Sequence, residues 1–228
     1  MLKTKEELAR VIDHTLLNPG ATFSEIKKVC EEAKKYSFAS VCIPPCYAME
    51  AKEMLRDTPV KVVTVVGFPL GANTTAVKLV EAVEAVKNGA DELDVVMNIS
   101  ALRTKNYAFV GMEIRNLINV TRHVIHKIII ETCYLNDDEK VKAAMLAVEA
   151  GALFIKTSTG FGTKGATVED VILLKEVVSD RAYIKASGGI KDLKTVIAML
   201  KAGASRIGTS SGVKIMEEYI NGANPDHP

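Results

Sequence analysis

Short β-branched runs alternate with longer amphipathic stretches along the whole chain, and this alternation restricts the fold more than any other feature. The strand candidates are residues 11–17, 40–43, 61–68, 92–98, 127–133, 154–159, 183–187 and 206–209. Between them lie segments such as SEIKKVCEEAKKY, AVKLVEAVEAVKNG, EKVKAAMLAVEAG and DLKTVIAMLKAG, apolar at helical spacing with charge on the opposite face. Eight such units in 228 residues, with no Pro/Ser-rich linker, predict an α/β chain folded as one closed (β/α)8 TIM barrel, a single domain over 1–228. The alternative is an open doubly wound sheet. It would call for G-x-G-x-x-G after the first run, where VIDHTLLNPG stands instead.

The helices are punctuated at both ends. Thr22-x-x-Glu25 and Asn136-x-x-Glu139 have the form of capping boxes, and Thr167 precedes a helix with acids in its first turn. A weak repeat closes helices with Gly-Ala before a strand, in KNGADELDVV, EAGALFIKTS and KAGASRIGTS. An extra N-terminal helix over 4–10, opened by Thr4 and Glu7, is expected to cover the bottom of the barrel. The terminal PDHP is expected to fray.

Twenty-nine basic and 28 acidic residues give a net charge of +1, which carries no footprint for nucleic acid or an anionic membrane. No apolar run approaches a membrane span, and MLKTKEELAR is a charged helical pattern rather than a secretion signal, so a cytoplasmic location is expected. Cys30, Cys42, Cys46 and Cys133 have no zinc spacing and read as free thiols; no metal or cofactor is called for. His14 has no partner at metal or triad spacing and reads as structural. Cys42 reads as a small apolar side chain lining a pocket, and Cys46 would need histidines from elsewhere to hold a metal.

The informative residues are lysines inside strands. Lys156 stands in GALFIKTSTGFG and Lys185 in AYIKASGGI, both in runs that read as buried. On adjacent strands six and seven the two lie within several ångströms of each other. A second ammonium that close, with partial desolvation, lowers a lysine pKa. A lysine brought from about 10.4 to about 7.5 is roughly one-quarter neutral at pH 7, and a neutral amine attacks a carbonyl to form a Schiff base. The opposing explanation makes each lysine half of a buried ion pair with Asp94 or Glu131. Asp94 fits both, as counter-ion and as proton carrier. Asp13, Thr15, Cys42 and Asn98 complete the polar residues expected at strand ends.

The last loops supply an anion site. SGGI at 187–190 follows strand seven, and GTSSG at 208–212 follows strand eight and opens a helix; Gly160 in TSTGFG lies beside them. Glycine N–H groups at a helix N-terminus suit a phosphate.

With Lys156 in FIKTSTG, Lys185 in IKASGGI, Asp94 in DELDVVMN and RIGTSS near the end, the chain resembles the deoxyribose-phosphate aldolase family. The likeness runs from IDHTLLNP to GTSSG, and KTSTGF is its specific signature. The resemblance implies a metal-independent class I aldolase, a carbon–carbon lyase that cleaves 2-deoxy-D-ribose 5-phosphate to D-glyceraldehyde 3-phosphate and acetaldehyde. It implies Lys156 as the Schiff-base residue, Lys185 as the lysine that activates it and Asp94 as the acid/base. It places Asp13, Thr15, Cys42 and Thr157 at the substrate, and Gly160, Gly188, Gly189, Gly208, Ser210 and Ser211 at the phosphate. Independently of the resemblance, a barrel with apolar outer helices is expected to form a homo-oligomer, a dimer or a tetramer. Phe161 departs from relatives that carry a basic residue there, which leaves Lys164 or Lys191 to supply the charge. No tyrosine follows Tyr219, whereas some relatives end in one that reaches the site. Two rival readings stay open: a Schiff-base aldolase for another phosphosugar, and a phosphate-binding barrel whose lysines are counter-ions only.

Overall fold

The computed structural model describes residues 4–222. Its eight strands are β1 (Ile12–Thr15), β2 (Ser40–Cys42), β3 (Lys61–Val66), β4 (Glu92–Val96), β5 (Ile125–Ile129), β6 (Phe154–Lys156), β7 (Tyr183–Ser187) and β8 (Arg206–Thr209). They pair in parallel in sequence order and close, β8 against β1, into one barrel. The major helices are α2 (Phe23–Tyr36), α4 (Thr75–Lys87), α6 (Tyr107–Val120), α7 (Asp137–Glu149), α8 (Val168–Val178), α9 (Leu193–Lys201) and α10 (Gly212–Ile220). Shorter α1 (Lys5–Ala9), α3 (Ala48–Met54) and α5 (Ile99–Arg103) complete the set. Among the described residues no helix is long and apolar enough to cross a membrane.

The capping expectations hold. Thr22 and Glu25, and Asn136 and Glu139, form reciprocal capping boxes, and Thr167 accepts from the Asp170 N–H. Thr4 caps α1 by accepting from the Glu7 N–H, and α1 buries Leu8 and Ala9 and contacts α10. The glycines of the Gly-Ala repeat, Gly89, Gly151 and Gly203, all have positive φ. At Gly89 and Gly203 a Cβ would also press within 2.7 Å of a lysine stem, so the small residue serves conformation and packing together. PDHP lies outside the described residues.

Several strands end earlier than the sequence suggests, and β5 is displaced. The run 127–133 reads as continuous because three isoleucines precede Glu131. In the fold the strand starts at Ile125 and stops at Ile129; Glu131 turns left-handed at φ 52° and residues 132–134 form a 3-10 turn. Asn98 is likewise not a strand residue: its side chain caps α5 by accepting from the Ala101 N–H. β6 is only three residues long, although the Thr157 N–H still reaches the Lys185 carbonyl.

Strand alternation sorts the side chains into two populations. Val41, Val62, Leu93, Val95, Ile128, Ile155, Ile184 and Ile207 face outward and join the helices in one large apolar shell. The inward positions are different. Besides a small cluster of Cys42, Val63 and Val65, they carry Asp13, Glu92, Asp94, Lys127, Lys156, Lys185 and Arg206. A barrel interior is usually filled by branched apolar side chains. Here its middle is ionic.

Candidate active site

Lys156 and Lys185 are paired in register across β6 and β7. Both are buried, and both reach the same atom: Oδ2 of Asp94, at 2.8 Å from Lys156 Nζ and 2.7 Å from Lys185 Nζ. The opposite oxygen, Oδ1, lies 3.0 Å from Lys127 on the neighbouring strand β5. Three lysine side chains therefore converge on one carboxylate. Burial alone would push Asp94 up, but Lys127, Lys156 and Lys185 outweigh it and hold its carboxyl well below the usual carboxylate range.

Lys185 is held from two sides. Its Nζ also lies 2.5 Å from Oδ2 of Asp13, whose other oxygen accepts from Ser40 Oγ at 2.6 Å and from Arg206 at 2.7 Å. Burial would lower the Lys185 pKa; the carboxylates of Asp13 and Asp94 reverse that and raise it. Lys185 thus stays an ammonium at neutral pH. The two expectations raised by the paired lysines are not exclusive: both lysines do pair with Asp94, and a permanent positive charge stands beside Lys156.

Above this layer opens a cavity of 580 Å³ between the ends of β1, β6, β7 and β8. Lys156 is on its wall, with Thr15, Gly160, Gly188, Gly189, Gly208 and Ser210. Asp13, Cys42, Asp94, Thr157 and Lys185 do not line it; they lie buried. Cys42 places its sulfur 3.9 Å from Asp94 Oδ2, and burial, with that carboxylate, pushes its thiol up to about 11. Thr157 Oγ1 accepts from the Ser187 N–H, so it ties β6 to β7. Glu131 accepts from the Thr159 N–H and hydroxyl, and burial raises its pKa.

The glycine loops have the conformations an anion cradle needs. Gly160, Gly188 and Gly189 all have φ between 79° and 89°, and nothing lies within 4 Å of a Cβ built on Gly189. Gly208 has a further reason to be glycine: a Cβ there would lie 3.1 Å from Lys185 Cε, so its absence leaves room for that side chain. Thr209 binds the two loops together, donating to the Ile190 carbonyl and accepting from the Ser211 N–H. Ser211 is the N-cap of α10 and lies outside the cavity lining. Lys191 is on the cavity wall, while Lys164 lines a neighbouring one, so Lys191 is the cation placed to meet an anion there. Phe161 shares the wall and stands edge-on to Phe68. Among the described residues no cluster of three His, Cys, Asp or Glu side chains is placed to hold a metal ion.

The family model for DeoC/LacD family aldolases matches residues 8–218, nearly all of the barrel. The chain belongs to that family. It is 58% identical over 225 residues to the deoxyribose-phosphate aldolase of Caldanaerobacter subterraneus subsp. tengcongensis, covering 96% of this chain and 97% of that one. Among solved structures it superposes on the aldolase QR15 with a TM-score of 0.91 at 44% identity, over 97% of each chain. The tetrameric deoxyribose phosphate aldolase of Aeropyrum pernix gives a TM-score of 0.90 at 34% identity, over 96% of this chain and 93% of that one.

Sequence reasoning missed part of this aldolase's interior. Lys127, Glu92 and Arg206 were not singled out, yet Lys127 contacts Asp94 directly and Glu92 at 2.5 Å. A fourth buried lysine, Lys78 on α4, pairs with Glu113 at 2.7 Å and donates to the Val96 carbonyl. It lies outside the barrel and fastens α4 to α6 and to the end of β4. His14 bonds Glu32 through Nε2 and packs on Phe38, as a structural histidine does.

Proposed function

We infer that the protein is a deoxyribose-phosphate aldolase, cleaving 2-deoxy-D-ribose 5-phosphate reversibly to D-glyceraldehyde 3-phosphate and acetaldehyde through a Schiff base on Lys156. The observation that carries this is Lys156 on the cavity wall with Nζ 2.8 Å from a carboxylate oxygen that also binds Lys185. Of the buried ionic residues among those described, it alone opens to the cavity.

The free-base amine of Lys156 attacks C1 of the open-chain sugar, and loss of water leaves a protonated imine, an electron sink. The C3 hydroxyl proton passes through water to Asp94, with the Lys185 ammonium fixing that carboxylate. The C2–C3 bond breaks, its electrons enter the imine to give an enamine, and glyceraldehyde 3-phosphate leaves. Protonation of the enamine carbon and hydrolysis release acetaldehyde and return Lys156. A carboxylate held by three ammoniums is a weak base. As the C2–C3 bond breaks, the iminium nitrogen on Lys156 gives up its positive charge to become an enamine, so Oδ2 loses one neighbouring cation and its basicity rises as the proton moves.

We assign the phosphate to the Gly160, Gly188–Gly189 and Ser210 backbone with Lys191 at the rim, and Thr15 to the sugar hydroxyls. Asp13, Cys42 and Thr157 act from beneath. Gly208 and Ser211 belong to the same phosphate assignment; Gly208 lines the cavity and also makes room for Lys185, and Ser211 stands at the N-terminus of α10. We place the activity in the cytoplasm, in a single-domain chain that assembles as a homo-oligomer. The four free cysteines suit a reducing compartment, and α4 exposes Val77, Val80 and Val83 along one side. A retro-aldol assay across a panel of phosphosugars tests the substrate: deoxyribose 5-phosphate should be cleaved fastest, and Lys156→Ala should abolish turnover in a folded protein. Preference for another phosphosugar, or full activity in that variant, would overturn the assignment.

A further inference from the structure

The buried charges of the barrel form a closed circuit. Asp94 Oδ1 meets Lys127 at 3.0 Å, Lys127 meets Glu92 Oε2 at 2.5 Å, and Glu92 Oε2 lies 3.6 Å from Arg206. Arg206 meets Asp13 at 2.7 Å, Asp13 meets Lys185 at 2.5 Å, and Lys185 returns to Asp94 Oδ2 at 2.7 Å. Acids and bases alternate around it, three of each, so the ring is neutral by itself. Lys156 hangs outside, attached only at Oδ2 of Asp94.

We propose that Lys127 is a positioning residue, closing a ring of alternating charges that leaves Lys156 as the one amine in the barrel without a carboxylate of its own. The inference rests on Lys156 being the reacting amine. Lys127 is fully buried, and burial, which would lower its pKa, is outweighed by Asp94, with Asp13 and Glu92, so it remains an ammonium. It takes Oδ1 and thereby orients the carboxylate with Oδ2 toward Lys156 and Lys185. It also balances charge: were Lys127 absent, the remaining ring would hold three acids against two bases, and the surplus negative charge would fall to Lys156. Two other groups face Lys156 from outside the ring and are unchanged in every variant compared. The Cys42 thiol is held neutral by burial; Glu131, engaged by Thr159, makes no ion pair with Lys156 but acts on it through space, a constant contribution that cancels between the Lys127 and Glu92 variants.

A purely structural Glu92–Lys127 pair would predict the same loss whichever partner is removed. The ring predicts opposite signs. The test labels Lys156 with acetaldehyde and cyanoborohydride across pH 5–10, read by peptide mass at that residue. This needs a neutral, accessible amine and no turnover. Lys127→Met, which leaves a surplus acid, should move the half-labelling pH up by about one unit, and Glu92→Gln, which leaves a surplus base, should move it down by about one unit. The double variant, neutral again and shaped like an apolar replacement of a buried pair, should return close to the unsubstituted protein. Shifts in the same direction, no shift, or a double variant displaced as far as either single would overturn the proposal. So would a folded protein in which Lys156 labels at no pH. If Lys127→Met does not fold, Glu92→Gln and the double variant carry the same comparison. Turnover of deoxyribose 5-phosphate is followed in parallel: its absence with the shifts intact would overturn the proposed function alone.

Discussion

Lys156 and Lys185 share a single oxygen atom, Oδ2 of Asp94, from opposite members of a register pair. One of the two is enclosed by a second carboxylate and the other opens to the cavity. On the proposed assignment, that asymmetry gives two identical side chains different chemistry: a fixed ammonium and a nucleophile.

Lys185→Leu removes the fixed ammonium and leaves Asp13 and Asp94 without the cation between them. Turnover of deoxyribose 5-phosphate should fall by about 10²- to 10⁴-fold, and the stability measured by urea should fall by about 3–5 kcal/mol. A variant with unchanged kcat would remove Lys185 from the mechanism.

The Asp94→Asn variant keeps the shape of the side chain while three lysines lose their common counter-charge. The expected outcome is a folded but destabilised protein, with kcat reduced by at least about a hundredfold. Retention of activity at that position would show that another group carries the proton.

His126 makes stability depend on pH below neutrality. It is buried, 2.7 Å from Thr121 Oγ1, and burial, with the charges of Lys127 and His123, pushes its pKa down to about 4. The unfolded value is about 6.5, so the native state binds fewer protons than the unfolded one between these limits. The associated stability, about 3 kcal/mol, is fully present above pH 6.5 and is lost as pH falls toward 4. Asp13 and Asp94, both depressed by neighbouring ammoniums, add their own loss only below about pH 4. Urea midpoints at pH 7, 5.5 and 4.5 check this, and His126→Gln should flatten the decline.

The Gly188–Gly189 loop, to which we assign the phosphate, is held by close backbone contact. A Cβ on Gly165 would lie 2.0 Å from the Gly188 carbonyl oxygen. Gly165→Ala should therefore displace the Gly188–Gly189 turn and raise KM for deoxyribose 5-phosphate about tenfold. The same variant should treat unphosphorylated 2-deoxyribose as the parent does. An equal loss on both sugars would mean that Gly165 supports the fold and not the phosphate loop.

Val77, Val80 and Val83, each at least 45% exposed, form a stripe on α4 beside α6, where Met112 is also exposed. If this face joins copies of the chain, Val80→Glu lowers the mass seen by sedimentation velocity. An unaltered mass would place the interface elsewhere.

The barrel was legible because its two periods are clean: each outward apolar position of a strand meets a helix with the complementary stripe. Lys156 and Lys185 were legible because a charge in the middle of an apolar run has no ordinary explanation. Glu92, Lys127 and Arg206 were not. Each stood at the first position of a predicted strand, where a charged residue normally points to solvent. For Lys127 the error lay in register, since β5 begins two residues earlier and makes it an interior position. For Glu92 and Arg206 the strand starts were right, and only the ring of partners across the barrel shows why a charge is needed there. Gly208 lines the cavity, as its place in GTSSG led one to expect, but its closeness to the Lys185 stem is a tertiary fact with no local trace.

Borohydride reduction of the protein with 2-deoxyribose 5-phosphate, followed by peptide mass mapping, tests the central claim most directly. The account predicts a two-carbon adduct on Lys156 and none on Lys185 or Lys127. An adduct on either of those lysines, or no adduct on a folded protein, would contradict it.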